Sequence, residues 1–391
     1  MIAEHQIKEF DNLIELLEEL DREGITGYRK QKIYKRYLNL RARMRGQVYS
    51  GGFELTPLCN FDCKMCYVHL NREQMEREAK LMSVQQWIDI MGQAVDAGLM
   101  HADLTGGECL SYPGFKEVYL YLRSRGVEVS VLTNGQLITE EMADFFAMYP
   151  PSVVQITVYG SDEDAYEAVT GRRAFADVRA AIRRLKERNI SVFLPITPNR
   201  YMQKDTHALL EFLRSQQVRY GIGTGSLPAR HNTGRTISTY APETELYVKL
   251  HLDEQQHLRN CQASGDAQQT RVDYIPTGFQ PTSKIPCSSG LCTFHINWKG
   301  EMSPCIPFHS IHRSVPEYGF ENCWNWIRQQ MARYEPPEEC ANCANRTVCV
   351  SCPAERTSGV LNGPVNRSIC ERYEQYVQAG ILQLPQEEIC V

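Results

Sequence analysis

The sequence predicts an α/β protein: a partial (β/α)6 barrel, TIM-like but two strands short, followed by a small Cys-rich C-terminal domain. Two observations lead there. From Phe53 onward, short apolar runs alternate with amphipathic stretches of helical length, the pattern of βα units around a parallel sheet. After about Ser226 that rhythm stops, and most of the fifteen cysteines then crowd between Cys287 and Cys370.

Residues 1–50 read as helical. An acidic stretch from Glu9 to Leu20 spaces Leu13, Leu16, Leu17 and Leu20 along one stripe, Gly24 breaks it, and a basic stretch runs from Tyr28 to Arg45. No alternating strand pattern occurs here, which argues against a mixed α/β module. The barrel occupies 51–230. Its strands are expected at Phe53–Thr56, Ala102–Thr105, Glu128–Thr133, Val153–Val158, Val192–Thr197 and Tyr220–Gly223. Helices are expected at Val84–Ala97 behind an N-cap at Ser83, and at Phe115–Arg125, Glu140–Met148, Phe175–Arg188 and His207–Gln216. Several strands run into turn sequences (Thr105-Gly106-Gly107, Thr133-Asn134-Gly135, Tyr159-Gly160), and parallel α/β folds bind ligands at those carboxyl ends. Residues 231–280 form a Pro/Gly/Thr-rich linker with a polar helix at Glu243–Arg259. Residues 281–391 are short segments rich in Pro, Asn and Cys, so their own apolar core must be small and in need of metal or disulfide staples.

Composition narrows the function. With 42% hydrophobic and 23% charged residues, the chain is too apolar for disorder. A net charge of -5 gives no reason to expect a polyanionic partner and speaks against general nucleic-acid binding. No apolar run approaches the ~20 residues of a membrane helix, and the acids near the N-terminus are unlike a signal peptide. A cytoplasmic protein is therefore expected. In a reducing compartment, fifteen cysteines point to metal rather than disulfides.

The first constellation is Cys59-Asn60-Phe61-Asp62-Cys63-Lys64-Met65-Cys66, a C-x3-C-x2-C spacing directly after the first strand. Soft thiolates at such spacing select zinc or an iron–sulfur cluster. Zinc would want a fourth ligand, for which His69 stands near. Three thiolates on one tight loop instead suit three corners of a cubane, whose fourth iron is left open for a substrate or cofactor. This arrangement resembles the radical S-adenosylmethionine (SAM) superfamily. Further turns are similar to that family's in the same order. Gly106-Gly107-Glu108 resembles the GGE turn that binds the SAM amino group, with two glycines permitting close approach and a carboxylate to pair with an ammonium. Thr133-Asn134-Gly135 resembles a turn near the SAM site. Thr157 stands where relatives place a hydroxyl against the ribose. Arg172 or Arg173 would meet the SAM carboxylate. Met65 replaces the family's usual aromatic near the adenine, and a thioether can still cover such a ring.

The second constellation comprises Cys287, Cys292, Cys305, Cys340, Cys343, Cys349, Cys352 and Cys370, with Gly300 five residues before Cys305 and a C-x2-C-x5-C-x2-C core. It resembles the SPASM domain of peptide-modifying radical SAM enzymes, one residue shorter in the last gap. A zinc ribbon would use the two C-x2-C pairs but leave Cys287, Cys292, Cys305 and Cys370 without a role. The resemblance implies two auxiliary [4Fe-4S] clusters, the first on Cys287, Cys292, Cys305 and Cys352, the second on Cys340, Cys343, Cys349 and Cys370. Of the other cysteines, Cys323 reads as packing in a Trp-rich helix, while Cys261 and Cys390 receive no role. Cys109 follows Glu108 and would either return a hydrogen atom to a substrate radical, as in radical epimerases, or fill space behind the turn.

Taken together, the resemblance implies SAM and three [4Fe-4S] clusters, reductive cleavage of SAM to a 5′-deoxyadenosyl radical, and oxidative modification of a peptide or protein, such as a cross-link in a ribosomal peptide. A flavodoxin- or ferredoxin-type protein would supply electrons. Alternatives are sulfatase-maturase-type oxidation of Cys or Ser, dehydrogenation of a small sugar, Cys109-dependent epimerisation, or a non-enzymatic iron–sulfur carrier, which would not need a SAM pocket.

Overall fold

The computed structural model describes residues 12–202, 206–223, 244–264, 285, 287–308, 310–346, 349 and 351–382. The chain begins with an antiparallel pair, α1 (Leu13–Arg22) and α2 (Gly27–Arg45). Leu16 and Leu20 of the predicted stripe pack with Ile25 and Tyr37 in a cluster of their own. The expected start at Glu9 lies outside the described residues.

The barrel then follows: β1 (Ser50–Glu54), α3 (Arg72–Glu78), α4 (Val84–Asp96), β2 (His101–Thr105), α5 (Phe115–Ser124), β3 (Glu128–Thr133), α6 (Glu140–Met148), β4 (Val153–Ile156), α7 (Glu163–Thr170), α8 (Phe175–Glu187), β5 (Val192–Ile196), α9 (Thr206–Ser215) and β6 (Arg219–Ile222). Helix starts fall where local chemistry dictates. Ser83 accepts from the Gln86 N–H while the Gln86 side chain accepts from the Ser83 N–H, the capping box that opens α4. Thr139 and Asp162 cap α6 and α7 in the same sense. Helices α3 and α7 have no counterpart among the sequence expectations.

The six strands are parallel in the order β6-β5-β4-β3-β2-β1, and the sheet does not stop there. Strand β7 (Thr293–Ile296) of the Cys-rich region pairs parallel with β1, and β8 (Glu301–Ser303) and β9 (Arg313–Ser314) extend it antiparallel. Residues 281–391 keep a small apolar cluster around Ile369, Tyr373 and Tyr376, and part of the region joins the barrel's core. Phe294, Ile296, Met302 and Trp324 belong to the same buried cluster as Phe53, Trp87 and Val131. Phe294 stacks edge-on against Phe53 at 5.7 Å, so each side of the junction covers the other's apolar face. This also explains why β1 starts three residues earlier than expected. Gly51 and Gly52 read as poor strand formers, yet a Cβ at Gly51 would lie 2.2 Å from the Phe294 ring and one at Gly52 2.8 Å from His295 Nδ1. Glycine is what lets β7 lie down.

Beyond β6, α10 (Thr244–Ser264) corresponds to the expected polar helix; the rest of the 231–280 linker lies outside the described residues, as do Cys390 and the Cys261 side chain. Glu254 of α10 accepts hydrogen bonds from Tyr220 on β6 (2.7 and 2.8 Å) and Arg214 on α9 (3.0 Å), which ties the helix to the barrel. In the Cys-rich region, α11 (Phe320–Ala332) covers the β7–β8 end and α12 (Arg367–Gln378) packs on α10. Among the described residues no helix is long and apolar enough to cross a membrane.

Candidate functional site

The loop after β1 carries Cys59, Cys63 and Cys66 and is held from two sides. The turn after β2 grips it through Gly107 N–H to Thr56 O (2.7 Å) and Glu108 N–H to Leu58 O (2.9 Å). The end of α7 grips it through Asp62 N–H to Thr170 O and Lys64 N–H to Val169 O, both 3.0 Å. The three thiols lie within reach of one another's charge, although among the described residues no three Cys, His, Asp or Glu side chains stand close enough to hold a metal ion as they are. Burial pushes Cys59 up to about 12, with the negative charges of Glu108 and Cys66 adding to it. Cys63 is raised well above the usual thiol range by burial and by the charges of Cys66 and Cys59, while a hydrogen bond from Tyr159 opposes the rise. Donors already point at the sulfurs: Phe61 N–H to Cys59 Sγ at 3.3 Å and His69 N–H to Cys66 Sγ at 3.2 Å. The His69 ring sits 3.3 Å from the Asp62 carboxylate.

The turn after β2 differs in detail from expectation. The Cβ that Gly106 lacks would lie 2.6 Å from Thr56 O, and that of Gly107 2.4 Å from Leu58 O. Gly106 also adopts φ +155°. Both glycines therefore let the turn press against the cysteine loop. The Glu108 carboxylate is fully buried and accepts from Thr133 Oγ1 (2.8 Å), Leu110 N–H (3.0 Å) and Asn134 N–H (2.8 Å). Burial raises its pKa while these donors pull it back. This carboxylate thus fastens the turn after β2 to the turn after β3.

The remaining SAM-contact expectations sit around the same strand ends. Asn134 leads out of β3 with its amide 3.7 Å from Cys59 Sγ. Thr157 follows β4, half-buried, its N–H 3.4 Å from Thr133 O. Arg172 and Arg173 differ in their surroundings. Arg173 is engaged with Asp164 (2.5 Å) and Glu167 (3.1 Å), whereas the exposed Arg172 forms no such ion pair among the described residues. Met65 is buried in the main core. Cys109 has no exposed surface, and its thiol donates to Leu132 O at 3.1 Å. That is the space-filling place behind the turn. Cys323 is buried as expected, donating to Ser314 O at 3.3 Å.

In the Cys-rich region the thiols feel one another's charge in two sets. Cys305 is pushed up to about 12 by burial and by the charges of Cys352 and Cys287; Cys352, raised to about 11 by burial, also feels Glu355 and Cys287. Cys292 is raised by burial and by Cys287. Separately, burial raises Cys340 and Cys370; Cys349 and Cys343 press on Cys340, and Cys340, Cys349 and Cys343 on Cys370. Tyr334 is fully buried and within the fields of Cys340, Cys352 and Cys287.

Residues 53–213 match the Radical SAM superfamily. This stretch of the chain is a radical SAM domain. Over 276 residues the chain is 25% identical to the sporulation killing factor maturation protein SkfB of Bacillus subtilis (strain 168), covering 68% of this chain and 63% of that protein. The chain thus spans less than two thirds of the length of the first curated relatives it matches. Its fold is similar to that of native anSMEcpe with bound AdoMet (TM-score 0.65, 13% identity, covering 85% of this chain and 97% of that one). It is also similar to Streptococcus suis SuiB bound to the precursor peptide SuiA (TM-score 0.63, 14% identity, covering 94% and 89%).

The donor set of the radical SAM domain fits the [4Fe-4S] cluster that goes with this family. Three half-buried thiols that repel one another as thiolates need a cationic partner, and soft iron is suited to them. The Cys-rich region, of SPASM type, passes a similar test. The Tyr334 hydroxyl is a buried donor with no hydrogen-bond partner among the described residues, and it feels the charge of thiols from both sets. Sulfur acceptors of bound clusters would answer it. Two features were not read from the sequence. Tyr159 donates to Cys63, a contact that nothing in a Tyr-Gly turn announces. Glu54 on β1 faces His295 on β7 at 3.4 Å, both buried. An acid inside an otherwise apolar strand was the available signal for Glu54.

Proposed function

We propose that this protein is a radical SAM oxidoreductase that modifies a peptide, a maturase forming a cross-link or similar oxidised bond. The observation that carries the reading is the convergence of Cys59, Cys63 and Cys66 on a loop fastened to the turns after β2 and β3. When bound, the cluster and SAM supply a 5′-deoxyadenosyl radical able to take an unactivated hydrogen atom from a substrate.

The chain's own residues do the rest. Cys59, Cys63 and Cys66 hold three irons. The main chain of Gly106, Gly107 and Glu108, with Asn134 and Thr157, lines the rim where SAM lies, Arg172 meets its carboxylate and Met65 covers its adenine. Glu108 keeps two of these turns in register. Cys287, Cys292, Cys305 and Cys352, and separately Cys340, Cys343, Cys349 and Cys370, hold two auxiliary clusters that conduct electrons, for three in all. A small acidic redox protein of the flavodoxin or ferredoxin type serves as donor. A peptide substrate is supported by the likeness to a sporulation killing factor maturation protein and to a fold neighbour bound to its precursor peptide.

The test is anaerobic reconstitution followed by incubation with SAM and dithionite. Release of 5′-deoxyadenosine is expected, and its loss in Cys59→Ala, Cys63→Ala and Cys66→Ala. A reconstituted chain that releases none would end the proposal.

A further inference from the structure

Asn134 does more than line a rim. Its amide orientation is decided by its neighbours: Oδ1 accepts from Gln136 N–H at 3.0 Å, so Nδ2 is the atom that faces Asn60 Oδ1 at 2.8 Å and Cys59 Sγ at 3.7 Å. Asn60 in turn gives its Nδ2 to Gln136 Oε1 at 2.7 Å, and Gln136 gives its Nε2 to the Asp177 carboxylate at 2.8 Å. The links run in one direction. A surface carboxylate on the first turn of α8 orients Gln136, Gln136 orients Asn60, Asn60 orients Asn134, and Asn134 presents an N–H to sulfur. Each amide polarises the next, and the inner links are sheltered from solvent, where such chains gain strength.

We propose that this chain of hydrogen bonds, ending in Asn134, sets the reduction potential of the cluster held by Cys59. The proposal rests on the reading that Cys59, Cys63 and Cys66 hold that cluster. A donor to a ligand sulfur stabilises the reduced, more negative cluster over the oxidised one, and hydrogen bonds to sulfur are among the levers that fix such potentials. Asn134 is here a positioning residue acting through Cys59. Its main-chain bond to Glu108 survives replacement of the side chain, so the turn keeps that tie while losing the Oδ1 acceptor of Gln136 N–H.

The experiment is an EPR-monitored redox titration of the anaerobically reconstituted chain, without SAM, following the reduced signal that changes when SAM is later added. Asn134→Ala is expected to load the same iron as the parent and to shift that potential negative by about tenfold in the reduction equilibrium, about 59 mV for one electron. Gln136→Ala, which touches no sulfur, is expected to shift it in the same direction by less. An unchanged potential in a fully loaded Asn134→Ala overturns the proposal, above all if SAM binding alone weakens. If Asn134→Ala loads no iron, Gln136→Ala decides, and an unchanged potential there is fatal. A parent chain with no SAM-sensitive signal would instead refute the reading of the three cysteines.

Discussion

Replacing Glu108 with glutamine separates two roles that the same residue could have. In the structure, Oε1 accepts from both Thr133 Oγ1 and Leu110 N–H, and Oε2 accepts from Asn134 N–H. A glutamine keeps one acceptor oxygen, which would remain with the two donors. Its NH2 then faces the Asn134 N–H across the 2.8 Å gap, donor against donor. A hydrogen bond to a charged group contributes about 1.5–3 kcal/mol and an unsatisfied buried N–H costs about 1–3 kcal/mol, so Glu108→Gln should lose roughly 2–4 kcal/mol of stability. Glu108→Ala, which strands all three donors, should lose more. The assay is urea denaturation of the cluster-free chain without SAM. If the carboxylate's task were instead to pair with the SAM ammonium, Glu108→Gln would leave the midpoint unmoved and weaken SAM binding alone. That result would refute the fastening role.

Three further outcomes are expected. Glu254→Ala leaves Arg214, 12% exposed, with only the Glu211 carboxylate and removes the acceptor of the Tyr220 hydroxyl, and should cost about 1–3 kcal/mol in denaturant titrations. His251 has its pKa lowered to about 4 from 6.5 by burial and by the Arg372 charge. Its stabilising effect is present in full above the unfolded value and is lost as pH falls from 6.5 toward 4, so going from pH 7 to pH 5 should remove about 2 kcal/mol. His251→Gln should flatten that dependence in urea midpoints measured at both pH values. Cys340→Ala should lower iron by up to about four atoms per chain, retain 5′-deoxyadenosine release and stop peptide product in mass spectra. Normal turnover would show that the second auxiliary group conducts nothing.

Much of the barrel was legible because its signals are local. Ser83 before an amphipathic run announces α4, and the apolar run Glu128–Thr133 is β3 to the residue. The cysteine spacings are likewise local, since a short loop can close on one cluster whatever surrounds it. Helix α7 was missed because its short run carries little periodicity, although Asp162 caps it and Gly171 ends it. The mutual arrangement of Arg172 and Arg173 was illegible for another reason. Adjacent residues on a turn point apart, and only the position of α7 says which one meets Asp164 and Glu167.

By itself, then, the order of residues determined where strands and helices alternate, which thiols stand within reach of one another along the chain, and that a glycine pair follows β2. Tertiary structure alone decided that β7 joins β1, that Glu108 turns inward, that Cys109 is sealed in the core and that Asn134 aims its amide at Cys59. The division has a physical cause. Caps, turns and periodicity are settled within a few residues, whereas the direction of a side chain at a strand end depends on which neighbouring turn reaches it first with a donor.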